Sequence, residues 1–184
     1  MDFYGQEDAA NLFPDRAELE SEELFAQADR LLNEGSIMEA VEKLTQILKR
    51  NPRFGKAYNH LGWVYETKYK NTQRAEEYYK AAMKYAPDYN AAYLNYSYFL
   101  SNAGRLDELK EHLDKISQIS GIARDTIAGE YAIMYEIKGE IETATDYYRK
   151  AAITTLDNLK LDRYKQGIER CRKKKELMQE SDTF

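Results

Sequence analysis

The sequence has one cysteine, Cys171, two histidines, three prolines and one tryptophan in 184 residues. A single thiol cannot close an internal disulfide, and an unpaired cysteine points to a reducing compartment. His60, His112 and Cys171 offer no ligand spacing for zinc and no nucleophile and base pair, and no glycine-rich phosphate loop is present. No stretch approaches the roughly 20 apolar residues of a membrane span. The start, MDFYGQEDAANLF, has neither the basic opening nor the apolar run of a secretory signal. These absences predict a cytoplasmic, non-enzymatic protein without cofactor or metal. The formal net charge of −5 also disfavours nucleic acid as a partner.

What is abundant is charge, at 32%, and tyrosine, at 16 residues. With 43% hydrophobic residues and few helix breakers, the balance is that of a helix-rich globular chain of one domain with a continuous core. Tyrosine buries its ring but needs a partner for its hydroxyl, so a surplus suits half-buried layers and peptide-contacting surfaces. Asp2, Glu7, Asp8, Asp15, Glu18 and Glu20 make the N-terminus acidic, whereas Arg170 and the run Arg172 to Lys175 make the C-terminal segment basic.

Internal repetition organises the rest. Ala28, Gly62, Ser97 and Ala132 are small residues spaced by 34, 35 and 35 positions. Ala40, Ala75, Leu109 and Ala144 are spaced by 35, 34 and 35, and a large apolar residue follows each after four: Leu44, Tyr79, Leu113 and Tyr148. Pro52 and Pro87 stand 35 apart and close the first two units. In each unit, apolar residues at helical spacing pack one helix antiparallel on the next, and the small residue lets the backbones approach. Gly35, Gly104 and Gly139 fall between the paired helices, where a left-handed residue can end the first. The second unit lacks that glycine and has one extra residue between Lys68 and Arg74, which predicts a longer turn.

These series resemble the tetratricopeptide repeat (TPR) pattern W-x-x-L-G-x-x-Y, then A-x-x-x-F, then P. The second copy is most similar, through Tyr58, Leu61, Gly62, Tyr65, Ala75, Tyr79, Ala82 and Pro87. The resemblance implies an all-α α-solenoid of about four helix-turn-helix repeats, 21–54, 55–89, 90–124 and 125–158, with an acidic N-terminal arm over 1–20 and a capping helix and tail over 159–184. Expected helix pairs are 21–34 with 37–50, 55–69 with 72–86, 90–103 with 106–119, and 125–138 with 141–155. Asp15 and Glu18, just after Pro14, have capping-box spacing, so the first helix is expected to start before 21. Leu161, Tyr164, Ile168 and Cys171 mark the capping helix.

In proteins of this family, the second, fifth, ninth and twelfth positions of each first helix line a concave groove. Here they are Glu22, Phe25, Asp29 and Leu32; Lys56, Asn59, Trp63 and Glu66; Ala91, Leu94, Tyr98 and Ser101; Thr126, Gly129, Ile133 and Glu136. His60, Asn95, Asn102, Glu130 and Ile137 lie beside them. The expected partner-binding set is Phe25, Lys56, Asn59, Trp63, Leu94, Asn95, Tyr98, Asn102, Glu130 and Ile133: aromatic and apolar in the middle, with amides for a peptide backbone and acids at both ends. The carboxylate clamp of some family members is not matched, since Phe25 and Asp29 stand where it needs lysine and asparagine. The resemblance implies a scaffold or adaptor for a protein or peptide segment. The alternatives are a dedicated chaperone for a secreted client and a subunit of a larger assembly. An arm that docks in this groove would act as a plug.

Overall fold

In the computed structural model, residues 16–181 are described, and nine helices and no strand occur among them. The arm's apolar points, Phe3, Tyr4, Leu12, Phe13 and Pro14, and Asp15 of the capping box lie outside the described residues. The helices are α1 Arg16–Glu34, α2 Ile37–Arg50, α3 Gly55–Thr67, α4 Thr72–Tyr85, α5 Asn90–Asn102, α6 Leu106–Ile116, α7 Arg124–Ile137, α8 Ile141–Thr154 and α9 Asn158–Ser181. The fold class is all-α, a succession of TPR-like helical hairpins. α1 begins at Arg16, ahead of the core spacing, as the sequence suggests.

The chain divides into two compact units, Met1–Ala92 and Tyr93–Phe184. A repeat protein buries its apolar surface mainly between neighbouring hairpins, so no single centre is needed to hold every helix. In the first unit, Ala28, Leu44, Ile47, Phe54, Ala57 and Leu61 form the buried cluster, with Leu24, Phe25, Tyr65 and Tyr78 packed on it. In the second, Ala128, Ala132, Ile141, Ala144, Tyr148, Ala151, Tyr164 and Cys171 do the same. Ala28 and Leu44 in the first cluster, and Ala132, Ala144 and Tyr148 in the second, are members of the small and large series, so the 34 to 35 residue pitch is the pitch of core positions.

Close approach is real at the small positions. A Cβ on Gly62 would lie 2.7 Å from the Tyr79 ring. The hairpin turns follow one scheme. Gly35 adopts φ +84°, Ser36 N–H donates back to Leu31 C=O at 2.8 Å, and Gly35 N–H to Leu32 C=O at 3.2 Å. The longer turn expected in the second hairpin is present. There Asn71 N–H reaches back to Tyr65 C=O at 2.8 Å, and Lys70 takes the left-handed place at φ +53° without being glycine.

Candidate partner-binding surface

In the first unit, α1 and α3 supply the stripe. Phe25 lies edge-on to Phe54 at 5.6 Å and to His60 at 4.5 Å between ring centres, so its ring is spent on packing. Lys56 forms an ion pair with Glu22 at 2.7 Å, and His60 Nε2 lies 3.1 Å from an Asp29 oxygen. Asn59 is 2% exposed and already engaged by a partner. Trp63 is half-buried, with the Lys68 ammonium 5.1 Å from its ring centre, a cation–π contact at the edge of α3. The stripe in this unit therefore ties one first helix to the next through Phe25, Lys56 and His60. Trp63 keeps a partly open face, as Tyr58 and Tyr65 on the same helix also do.

In the second unit, α5 carries Leu94 and Asn95, both half-buried, Tyr98 at 40% exposure and the exposed Asn102. Ile133 on α7 is half-buried against the second core cluster. Glu130, also on α7, is 7% exposed, and no described residue donates a hydrogen bond to it. Burial pushes its carboxyl up to about 7, partly offset by the positive charge of Arg163. Burial, and then the charge of Glu130, push the Tyr98 hydroxyl up as well.

The end of this stripe departs from the expectation of a free acid. α9 lies along α7 and occupies its polar groups. Lys160 donates to Thr126 Oγ1 at 2.8 Å and to Asp125 at 3.2 Å, and the Tyr164 ring lies where a Cβ on Gly129 would come within 2.7 Å. Arg170 donates to both Glu136 oxygens at 2.6 Å, Lys174 to one at 2.8 Å, and Tyr148 hydroxyl to the other at 2.8 Å. Burial alone would raise the Glu136 carboxyl, but these donors hold it at about 2. Glu136 is a fastener for α9, not a groove acid. The basic run is likewise neutralised: Arg172 and Lys173 pair with Glu169, Lys174 with Glu136 and Lys175 with Glu142.

One signal for this arrangement stands in the sequence. Gly167 lies 35 residues after Ala132 and continues the small series, and a Cβ there would meet the Tyr148 ring at 2.6 Å. α9 thus repeats the register of a first helix. The histidines are structural: His112 donates to the Tyr93 carbonyl at 2.9 Å, and burial holds its pKa below the ordinary value. Among the described residues no group of His, Cys, Asp and Glu could hold a metal ion, and no helix is long and apolar enough to cross a membrane.

Comparison with known proteins agrees with this architecture. The sequence profile described as tetratricopeptide repeat matches residues 19–164. No curated protein matches the chain significantly in sequence. Among solved structures, PilF of Pseudomonas aeruginosa superposes with a TM-score of 0.71 at 17% identity, covering 89% of this chain and 77% of that one. A thermophilic TPR protein of Thermus thermophilus gives 0.66 at 22%, covering 80% and 81%. PilW, a widely conserved type IV pilus biogenesis factor, gives 0.64 at 16%, covering 88% and 80%. At these identities the likeness is one of fold.

Proposed function

The chain belongs to the tetratricopeptide repeat family, a fold that serves as a protein–protein interaction scaffold, and from that premise we propose that it is a non-enzymatic adaptor that holds a partner protein segment on the open faces of its first helices. The observation that carries this reading is Tyr98, a large ring left 40% exposed in a helix whose neighbouring aromatics are packed away. Leu94 and Ile133, both half-buried, add apolar area in the second unit, and Trp63 offers a partly open ring of its own in the first. Phe25, Lys56 and Asn59 contribute by fixing the helices, and Glu130 favours a basic or neutral segment over an acidic one. A cytoplasmic setting and a protein rather than nucleic-acid partner belong to the same proposal, supported by the buried thiol of Cys171 and by the internal pairing of Arg172 to Lys175.

The test is a tagged pull-down from the native source, comparing wild type with Trp63→Ala and Tyr98→Ala and identifying captured proteins by mass spectrometry. A partner lost from the variants at unchanged helical circular dichroism supports the reading. The same partners on all three chains would refute it. A client that is insoluble without this chain and copurifies in equal amount would favour the chaperone alternative.

A further inference from the structure

The second unit holds a cavity of about 390 Å³ between α7, α8 and the turn that follows α6, away from the residues assigned above to partner binding. Ile127, Ala128, Tyr131 and Tyr147 form its apolar wall, and Arg124 and Lys150 are the cations at its edge. The repeat explains why this space exists. Leu24, Tyr58, Tyr93 and Ala128 hold the same register, spaced by 34, 35 and 35. In three copies the position is filled by a large side chain that packs. Leu24 lies on the first core cluster, Tyr58 stacks on Tyr85 at 5.5 Å and lies 6.2 Å from Tyr78, and Tyr93 stacks on His112 at 6.4 Å. The fourth copy has Ala128 instead, 3% exposed. The counterpart of Tyr78 there is Tyr147, since each precedes the buried tyrosine of its second helix. Tyr147 stacks on Tyr131 at 5.0 Å and presents a ready aromatic wall. The missing group is thus a ring, and the volume lies at the lower end of the range for ligand pockets.

Charge supplies the second half of the specification. Lys110, Lys138 and Arg149 in this unit are committed to Asp114, Asp107 and Asp146 at 2.9, 2.8 and 3.2 Å. Asp114, the carboxylate adjoining the pocket wall, is taken up by Lys110 and by the Tyr131 hydroxyl. Arg124 and Lys150 have no ion-pair partner among the described residues, and the Lys150 ammonium stands 5.9 Å from the Tyr147 ring centre. We infer that this cavity is a second binding pocket, which takes an aromatic side chain of a partner segment flanked by acidic residues. The ring takes the place that Tyr58 holds in the second copy, and the flanking carboxylates pair with Arg124 and Lys150. The pocket is independent of the first-helix faces and gives the chain a second point of engagement.

The probe is the peptide acetyl-Asp-Glu-Phe-Asp-Glu-amide, titrated into the full chain and followed by nuclear magnetic resonance. Expected are saturable shifts at Tyr131, Tyr147 and Lys150. Replacing the peptide's Phe by Ala, or its acids by amides, weakens binding by about tenfold or more. Arg124→Glu with Lys150→Glu does the same, Ala128→Tyr fills the space and abolishes binding, and Trp63→Ala and Tyr98→Ala leave it unchanged. If Ala128→Tyr loses helical circular dichroism, the charge-reversed pair on the surface carries the test. No saturable binding up to about 1 mM, equal affinity in the charge-reversed chain, or loss only in the Trp63 and Tyr98 variants would each overturn the assignment; the last would place the peptide on the first-helix faces.

Discussion

Glu130 and Glu136 stand six residues apart on α7 with opposite environments, and the contrast makes the stability of the second unit depend on pH in two directions. Glu130 titrates at about 7 in the folded chain against an ordinary 4.5, because it is buried without a hydrogen-bond donor. Its folded form therefore binds a proton more readily than its unfolded form, and stability falls as pH rises from the ordinary value through about 7. At 1.36 kcal/mol per tenfold change in proton affinity, the loss between about pH 5 and pH 8 is about 2.5 kcal/mol. Glu136 behaves in the opposite sense. Held at about 2 by Arg170, Lys174 and Tyr148 against its burial, it contributes stability that is complete above the ordinary 4.5 and disappears as pH falls toward 2. The perturbation is Glu130→Gln. An uncharged amide carries a burial cost that does not vary with pH, so the informative quantity is the change in its effect between two pH values. Urea unfolding followed by far-ultraviolet circular dichroism should show the variant gaining about 2.5 kcal/mol on wild type between pH 5 and pH 8. An effect of Glu130→Gln that is the same at both pH values would refute the reasoning. Glu136→Gln should show no such gain, and its deficit should shrink as pH falls from about 4.5 toward 2.

The packing makes further predictions. Gly62→Ala gains about 1 kcal/mol of helix propensity but sets a methyl 2.7 Å from the ring of Tyr79, which is 1% exposed and anchored to Glu66 at 2.7 Å. The ring cannot retreat, so thermal unfolding should show a net loss of about 1 to 2 kcal/mol, and a stabilised variant would contradict the close approach. Lys70→Gly relieves a left-handed backbone at φ +53° and should stabilise the chain by up to about 1 kcal/mol in the same assay; a loss would mean that the Lys70 side chain contributes more than its backbone costs.

The hairpin order was legible because the copies repeat the same constraint: a small residue opposite a large one, a glycine to reverse the chain in all but the second, and apolar steps at helical spacing. Even the anomalous second turn could be anticipated by counting the residues between Lys68 and Arg74. The stripe was harder to read, for a geometric reason. The second, fifth, ninth and twelfth positions of a first helix cover an arc that faces both the open side and the next first helix, and spacing does not separate the two. Phe25 and Lys56 turned toward the neighbouring helix, Asn59 is buried, and Tyr98 kept an open face. The fastening of Glu136 was illegible for another reason. Its partners Arg170 and Lys174 lie 34 and 38 residues away in a helix whose apolar steps suggested a cap but not which acids it would reach. Gly167, in register with Ala132, is the residue that marks α9 as another first helix. The gap at Ala128 was visible as a small residue in a series of large ones, but that it leaves an open cavity follows only from the packing of Tyr131 and Tyr147.

The central claim is that the open faces of the first helices hold the partner. Amide hydrogen exchange on the chain, alone and in complex with the partner that the pull-down identifies, tests it most directly. The account predicts added protection in α3 around Trp63 and in α5 around Tyr98, with α2 and α4 unchanged. Protection confined to the second helices of the hairpins or to the end of α9, with Trp63 and Tyr98 exchanging as before, would contradict it.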